Sequence, residues 1–287
     1  MVMVVISNHR RTAGATLYSP SIGTIFDAAH AGFAVWSSLL WEPIGAATVA
    51  EIRPGRGQRV LDACCGSGAA AVPAAAAVGP TGWVDGVDLA PKLLAAGRRR
   101  ASEAGLSNIE FHTADVGAWQ PVGRPYDHVV CIFGVFFLPD MDNGGARLLG
   151  LAKPGGRLAI TTWQGGAVEP VITPFAEAAA DEHRAAGSQP TAPIAARAAA
   201  ARVDTEAGLA EFLRSVGTVD VEVRPFTLDI PLTPALAWDF AVGSATRAML
   251  FGLESPAIDR VRERYLAVMA GLDTFQVTAL IGHGRRG

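Results

Sequence analysis

"VLDACCGSGAAA", Val60 to Ala71, is an apolar run that breaks into a glycine-bearing loop and resumes as an alanine-rich helix. Its apolar part is continuous rather than alternating, which reads as a strand buried on both faces, as in a parallel sheet. Gly66 and Gly68 let the backbone approach a ligand closely. No Gly-Lys-Ser/Thr follows, so the loop is not a Walker phosphate loop. Gly66 to Ala71 does fit G-x-G-x-x-A, and on this stretch alone a dinucleotide site stays open. Asp62, four residues before Gly66, weighs against it. A carboxylate at the strand end repels a diphosphate and suits an ammonium or sulfonium group.

Outward from this stretch, strands and helices alternate. "GWVDGVDLA" is a second strand and "APKLLAAGRRRASEAG" a helix stopped by Gly105. "NIEFHTADV" is a third strand and "YDHVVCIFGVFF" a fourth. "DNGGARLLGLA" is a helix, "KPGG" a turn and "RLAITTW" a strand. This rhythm implies an α/β fold with a parallel sheet covered on both faces. It lapses over 164–203, an Ala/Gly/Pro-rich helical insertion or loop. A helix then resumes at "DTEAGLAEFLRSVG", with Asp204 or Thr205 as N-cap. "VDVEVRPFTLDI" and "FQVTALIGHG" are the last strands, separated by amphipathic helices over 233–271. Residues 1–58 add helices ahead of the sheet.

The second strand closes on Asp88, twenty residues beyond Gly68. A carboxylate there can accept from both hydroxyls of a ribose. That serves a nicotinamide dinucleotide and S-adenosylmethionine equally and establishes only an adenosine ligand. Asp115 closes the third strand, where it can receive adenine amino hydrogens. Three acidic residues thus meet at the carboxyl edge, where open α/β sheets bind ligands. The competing reading makes Asp62 and Asp88 helix caps and Asp115 a turn residue.

Composition bounds the rest. The 287 residues are half hydrophobic and carry a net charge of −3, with no long basic stripe. Nucleic acid is therefore not the expected partner. Arg98, Arg99 and Arg100 read as the solvated last turn of a helix. Three cysteines, Cys64, Cys65 and Cys131, do not form a disulfide framework and suit a reducing, cytoplasmic setting. The N-terminal apolar run is too short for a signal sequence, and no stretch is long enough to span a membrane.

Five segments in register carry a resemblance. "VLDACCGSG", "VDGVDLAPKLL", "FHTADV", "YDHVVCIFGVFFLPD" and "LLGLAKPGGRLAITTW" resemble, in order and spacing, the motifs of class I S-adenosylmethionine-dependent methyltransferases. The resemblance covers about Arg53 to Trp163 and is strongest to the small-molecule branch, akin to quinone-biosynthesis and natural-product enzymes. It implies a Rossmann-like, seven-stranded, mostly parallel sheet of order 3-2-1-4-5-7-6. It also implies an N-terminal helical lid over 1–58 and a methyltransferase domain over 59–287. Carried over by position, Asp62 orients the loop and faces the methionine ammonium. Cys64, Cys65, Gly66 and Gly68 supply backbone along the cofactor. Asp88 holds the ribose diol, Leu89 packs on the adenine, Asp115 and Val116 bind its edge, and Cys131 offers its carbonyl to the ammonium. Two positions depart from the family. Cys64 stands where the first loop glycine is usual, and Ile132 where a polar or basic residue is common.

The sulfonium methyl is already activated, so the protein mainly has to align the acceptor and exclude water. A base is needed only if the acceptor must first lose a proton, and His30 is the candidate. His112 and His128 flank strands and read as structural. Tyr18, Phe26, Trp36, Trp41, Phe133, Phe136 and Phe137 are the aromatic candidates for the acceptor pocket, although aromatics at helical spacing more often belong to a core. The two insertions are expected to shape that pocket or a homodimer contact. Expected partners are thus a small-molecule acceptor and the cofactor S-adenosylmethionine, with no metal, nucleic acid or membrane. The rival readings are a nicotinamide-dependent oxidoreductase, which lacks a Tyr-x-x-x-Lys pair here, and a non-catalytic S-adenosylmethionine-binding subunit.

Overall fold

The computed structural model describes residues 21–190 and 194–287. β1 (Arg59–Ala63) lies inside the sheet, parallel to β2 (Trp83–Asp88) on one side and to β4 (Tyr126–Ile132) on the other. β3 (Ile109–Thr113) flanks β2, and β5 (Ala152–Trp163) flanks β4, both parallel. β6 (Thr218–Pro231) and β7 (Thr274–Arg286) complete the far side, β7 antiparallel to both β5 and β6. The order is β3-β2-β1-β4-β5-β7-β6, as the resemblance implies. The chain steps from β1 to β3 in one direction and resumes at β4 on the opposite side of β1. A topological switch point therefore opens at the carboxyl ends of β1 and β4.

In chain order the α-helices are α1 (Ile22–Val35), α2 (Glu42–Ile52), α3 (Ala71–Val78), α4 (Pro91–Glu103) and α5 (Met141–Leu151). They continue with α6 (Glu169–Ala185), α7 (Ile194–Ala200), α8 (Glu206–Ser215), α9 (Pro234–Val242) and α10 (Ser255–Met269). Local chemistry sets their starts. Pro91 opens α4 at a position whose N–H would be unsatisfied anyway. The Asp140 carboxylate caps α5 by accepting from Asn143 N (3.0 Å), and Thr205 caps α8 by accepting from Gly208 N (3.0 Å). The unpaired edge of β6 carries Pro225 and Pro231, which offer no N–H to a further strand.

Two expectations change. "KPGG" belongs to β5 rather than to a turn before it. Gly155 takes φ +72°, the register slips opposite Tyr126 and His128, and Lys153 pairs with buried Asp127 at 2.6 Å. A bulge, not a chain reversal, absorbs the glycines. The arginine run is also not simply solvated. Arg98 donates to Phe111 O and Arg100 to Ser67 O.

The apolar residues gather in three clusters. One includes β4, β5, α5 and α8; another includes α2, α3 and the far side of β1 and β2. The third joins α1, α6, α9 and α10 to the ends of β6 and β7. The two insertions and the N-terminal helices thus share one core. Tyr265 Oη, on α10, donates to Val171 O of α6 (3.0 Å) and Ala237 O of α9 (3.1 Å). Buried Glu182 of α6 pairs with Arg260 (2.6 Å) and Arg264 (2.8 Å) of α10. No helix of the described residues is long and apolar enough to cross a membrane.

Candidate functional site at the carboxyl edge

The loop from Cys64 to Ala70 is tied down by polar contacts from several sides. Asp62, near the end of β1, is buried, and its Oδ2 accepts the Ala71 N–H at 2.8 Å, which folds the start of α3 back onto the strand. Burial pushes its carboxyl up to about 8; the Ala71 N–H pulls against this and the charge of Asp88 adds to it. Asp88, the last residue of β2, accepts Gly66 N–H and Ala90 N–H at 2.8 Å each. Burial raises its carboxyl and these backbone donors oppose the rise. Cys65 N–H reaches Val87 O at 3.0 Å. Arg100, absent from the sequence-based candidates, donates to Ser67 O (2.9 Å) and pairs with Glu42 (3.2 Å).

Three loop positions, Cys64, Gly66 (φ +52°) and Gly68, have left-handed backbone. Gly68 has φ +75°, and a Cβ there would lie 2.8 Å from the Phe111 ring. Cys64 has φ +58°. The site of the missing family glycine therefore does adopt the left-handed conformation, which costs an ordinary residue roughly 1–2 kcal/mol.

Around this loop, Leu89 is exposed and Val116 buried. Asp115 is exposed just past β3, its Oδ1 accepting Gly117 N–H at 2.7 Å. Cys131 is buried in β4 opposite Ala63 of β1. The three acidic residues thus lie at or just past the carboxyl ends of three adjacent strands.

Helix α1 runs against the segment after β2. A Cβ on Gly23 would lie 2.8 Å from Leu89 Cβ, and Asp27 Oδ1 accepts Lys92 N–H at 2.9 Å. By helical spacing His30 shares the stripe of Gly23 and Asp27. Its Nδ1 lies 2.9 Å from Asp27 O. A carbonyl can only accept, so Nδ1 is the donor in this bond and Nε2 is the ring nitrogen left for another partner.

The aromatic candidates separate. Phe33 stacks on Trp41 (4.8 Å between centroids), Phe133 stacks on Trp163 (3.8 Å), and Trp41 meets Phe133 at 6.0 Å. Phe26, Phe136 and Phe137 form a second group. Trp36 is fully buried against Phe240 and Phe275, its indole N–H donated to Leu236 O. It stands one ring away from the first group, since Phe240 meets both Trp36 (5.1 Å) and Trp41 (6.2 Å). Tyr18 lies outside the described residues. Sequence reading missed Phe33 and Trp163. The strand order carried the signal for Trp163, because it ends β5 beside the end of β4. Trp41 projects from a π-helical turn, Ser37–Trp41, in which Trp41 N–H bonds back five residues to Trp36 O. Its indole N–H donates to Phe33 O. Such turns commonly mark functional sites.

The remaining histidines do other work. His112 joins Arg59, Trp83 and Tyr126 in donating to Asp85. Asp85, Glu110 and His112 are close enough together to hold a cation, yet protein donors already surround Asp85. His128 bonds Gln58 at 2.8 Å, and burial lowers it to about 4. A surface cleft of about 290 Å³ between α2, α3 and α4 includes none of the acidic edge residues.

Known proteins sharpen the picture. A methyltransferase-domain family matches residues 60–156. Aklanonic acid methyltransferase DauC from Streptomyces sp. (strain C5) is 33% identical over 171 residues, which cover 58% of this chain and 78% of that protein. Demethylmenaquinone methyltransferase from Listeria monocytogenes serotype 4a is 32% identical over 112 residues, 39% of this chain and 47% of that one. The chain therefore spans about half the length of that relative. Among solved structures, phosphoethanolamine N-methyltransferase 2 from Haemonchus contortus superposes with a TM-score of 0.54 at 16% identity, covering 93% of this chain and 61% of that one. The [4+2]-cyclase SpnF superposes at 0.51 and 18% identity, covering 85% and 80%. Both structural likenesses are likenesses of fold.

Proposed function

Because the chain belongs to the class I S-adenosylmethionine-dependent methyltransferases, we propose that it transfers the sulfonium methyl to a small-molecule acceptor seated at the carboxyl ends of β1 and β4. The observation that carries this reading is the pair of acidic side chains, buried Asp62 and half-buried Asp88, that hold one loop at the switch point through backbone N–H groups. Asp88 receives the ribose hydroxyls, and Asp62 faces the methionine ammonium. Cys64, Cys65, Gly66 and Gly68 line the cofactor with backbone, and Cys131 offers its carbonyl to the ammonium. Leu89, Asp115 and Val116 surround the adenine. An ammonium beside Asp62 favours its ionised form and gains an ion pair, whereas a diphosphate there gains no opposite charge, which favours the sulfonium cofactor over a dinucleotide.

Transfer is an in-line displacement that leaves a neutral thioether, so alignment and water exclusion supply most of the acceleration and no metal is required. In this reading the N-terminal lid expected over 1–58, of which residues 1–20 lie outside the described residues, covers the domain formed by 59–287. Within that lid α1 and Trp41 close over cofactor and acceptor, and the walls from Phe133, Phe136, Phe137 and Trp163 favour an uncharged or aromatic acceptor. Nucleic acid is not the substrate we infer, and a reducing cytoplasmic setting suits the free thiols.

Calorimetric titration with S-adenosylmethionine, S-adenosylhomocysteine and NAD tests the cofactor. We expect the two adenosyl ligands to bind at least about 100-fold more tightly than NAD, a gap of roughly 2.8 kcal/mol. Equal or stronger NAD binding would sink the reading. Tight adenosyl binding with no methyl transfer across a broad acceptor panel would instead favour a binding subunit.

Where the acceptor must lose a proton, His30 Nε2 takes it. His30→Ala should then slow transfer by about 10²–10⁴-fold while S-adenosylhomocysteine affinity is kept. An unchanged turnover on hydroxyl or amine acceptors removes His30 from the chemistry.

A further inference from the structure

The three cysteines are not equivalent. Cys64 leaves β1 just after Ala63, and Ala63 is paired in register with Cys131 of β4. The two sulfurs lie side by side, both within 2.9 Å of one point, the Cβ position of Gly134, so this bare backbone covers the pair. Cys65 faces elsewhere: its Sγ lies 3.8 Å from Gly66 O and 3.1 Å from the Cβ position of Gly86 on β2. Neighbouring strands are about 4.8 Å apart. A one-residue offset keeps the Cα separation within the roughly 4.4–6.8 Å a disulfide spans. Cys64 also holds a left-handed conformation that glycine would adopt at lower cost. What the cysteine adds at that position is its contact with Cys131.

We propose that Cys64 and Cys131 form a reversible disulfide joining the cofactor loop to β4, with a small-molecule disulfide such as oxidised glutathione as the oxidant. Cys64 is the partly exposed partner and Cys131 the buried one, so Cys64 reacts first. Its thiolate attacks one glutathione sulfur and expels the other as a thiolate. Cys131, after losing its proton, attacks the Cys64 sulfur and expels the second glutathione. The protein gives up two electrons and two protons, and the oxidant becomes two thiols. Burial and the neighbouring Cys131 sulfur, toward which the Cys64 S–H can point, hold the Cys64 thiol protonated. The exchange is therefore slow at neutral pH and accelerates as pH rises. Contraction to a bond of about 2 Å pulls Cys64 toward β4 and shifts the loop under the methionine end of the cofactor. This last consequence rests on the cofactor placement proposed above.

The test oxidises the full chain with glutathione disulfide at mildly alkaline pH, alkylates free thiols and maps peptides by mass spectrometry. The expected product is a Cys64–Cys131 link, lighter by two hydrogens and reversed by dithiothreitol. The linked protein should bind S-adenosylhomocysteine at least about tenfold more weakly, a loss of roughly 1.4 kcal/mol. Cys64→Gly, which suits the backbone there, keeps the fold and forms no link. An alkylated Cys131 in the oxidised sample, a Cys64–Cys65 link, or a Cys64–Cys131 link that leaves binding unchanged overturns the proposal. If the reduced protein itself takes up no S-adenosylhomocysteine, the cofactor placement fails, and the peptide map still decides the disulfide.

Discussion

Asp88→Ala is expected to weaken S-adenosylhomocysteine binding by about 10²–10³-fold, because hydrogen bonds to a charged group are worth roughly 1.5–3 kcal/mol each. The side chain has two duties. It accepts the Gly66 and Ala90 N–H groups and so holds the loop against β2. In the proposed complex it also faces the ribose diol. Alanine removes both, leaving two N–H groups without their partner and the loop free of its anchor. Asp88→Asn keeps one acceptor oxygen, for either Gly66 N–H or Ala90 N–H, while its NH2 faces the other donor, so it should lose less affinity than alanine without matching the native residue. Calorimetry on the two variants separates these contributions. Retention of full affinity by Asp88→Ala would remove this residue from the cofactor site.

The affinity for S-adenosylhomocysteine should also rise steeply with pH on the acid side of a maximum near pH 8. Asp62 reaches about 8 in the folded protein from an ordinary 3.8, chiefly through burial. Its neutral form is therefore favoured in the free protein. Its contribution to stability is fullest below the ordinary value and is lost as pH rises toward 8. An ammonium ligand needs the opposite state, the carboxylate. Below the maximum, binding must release the Asp62 proton, and affinity changes by up to about tenfold per pH unit. Above it, the ligand's own amine begins to lose its charge, at roughly 7.7–8.0 for an ordinary α-amino group. Asp62→Asn still accepts the Ala71 N–H and should fold. It should bind more weakly and lose the acid limb. A wild-type affinity that stays flat from pH 6 to pH 8 would show that Asp62 does not face the ammonium.

Much of the framework was legible along the chain because the signals are local. A continuous apolar run, an aspartate near its end and a glycine loop identify β1 and the loop after it, from Val60 to Gly68. The same pattern of strand and closing acid repeats at Asp88 and near Asp115. The resemblance ordered these strands, and the sheet has that order. "KPGG" misled, since its glycines ordinarily mean a turn, whereas opposite Asp127 they accommodate a bulge in a continuing strand. The sequence did not separate Trp36 from Trp41: both are buried in one apolar cluster against Phe240, and across the π-helical turn Trp41 also reaches Phe133.

The sequence by itself determined the α/β rhythm, the acidic strand ends and the loop that must approach a ligand, because strand period, turn chemistry and closing residues act over a few positions. Tertiary structure alone decided which side chains meet across long separations: Arg100 on the Ser67 carbonyl, Phe133 on Trp163, Trp36 on Leu236, and the thiol of Cys64 beside that of Cys131. Those meetings depend on sheet register and on how the inserted helices share one core. Neither is encoded in the neighbours of any single residue.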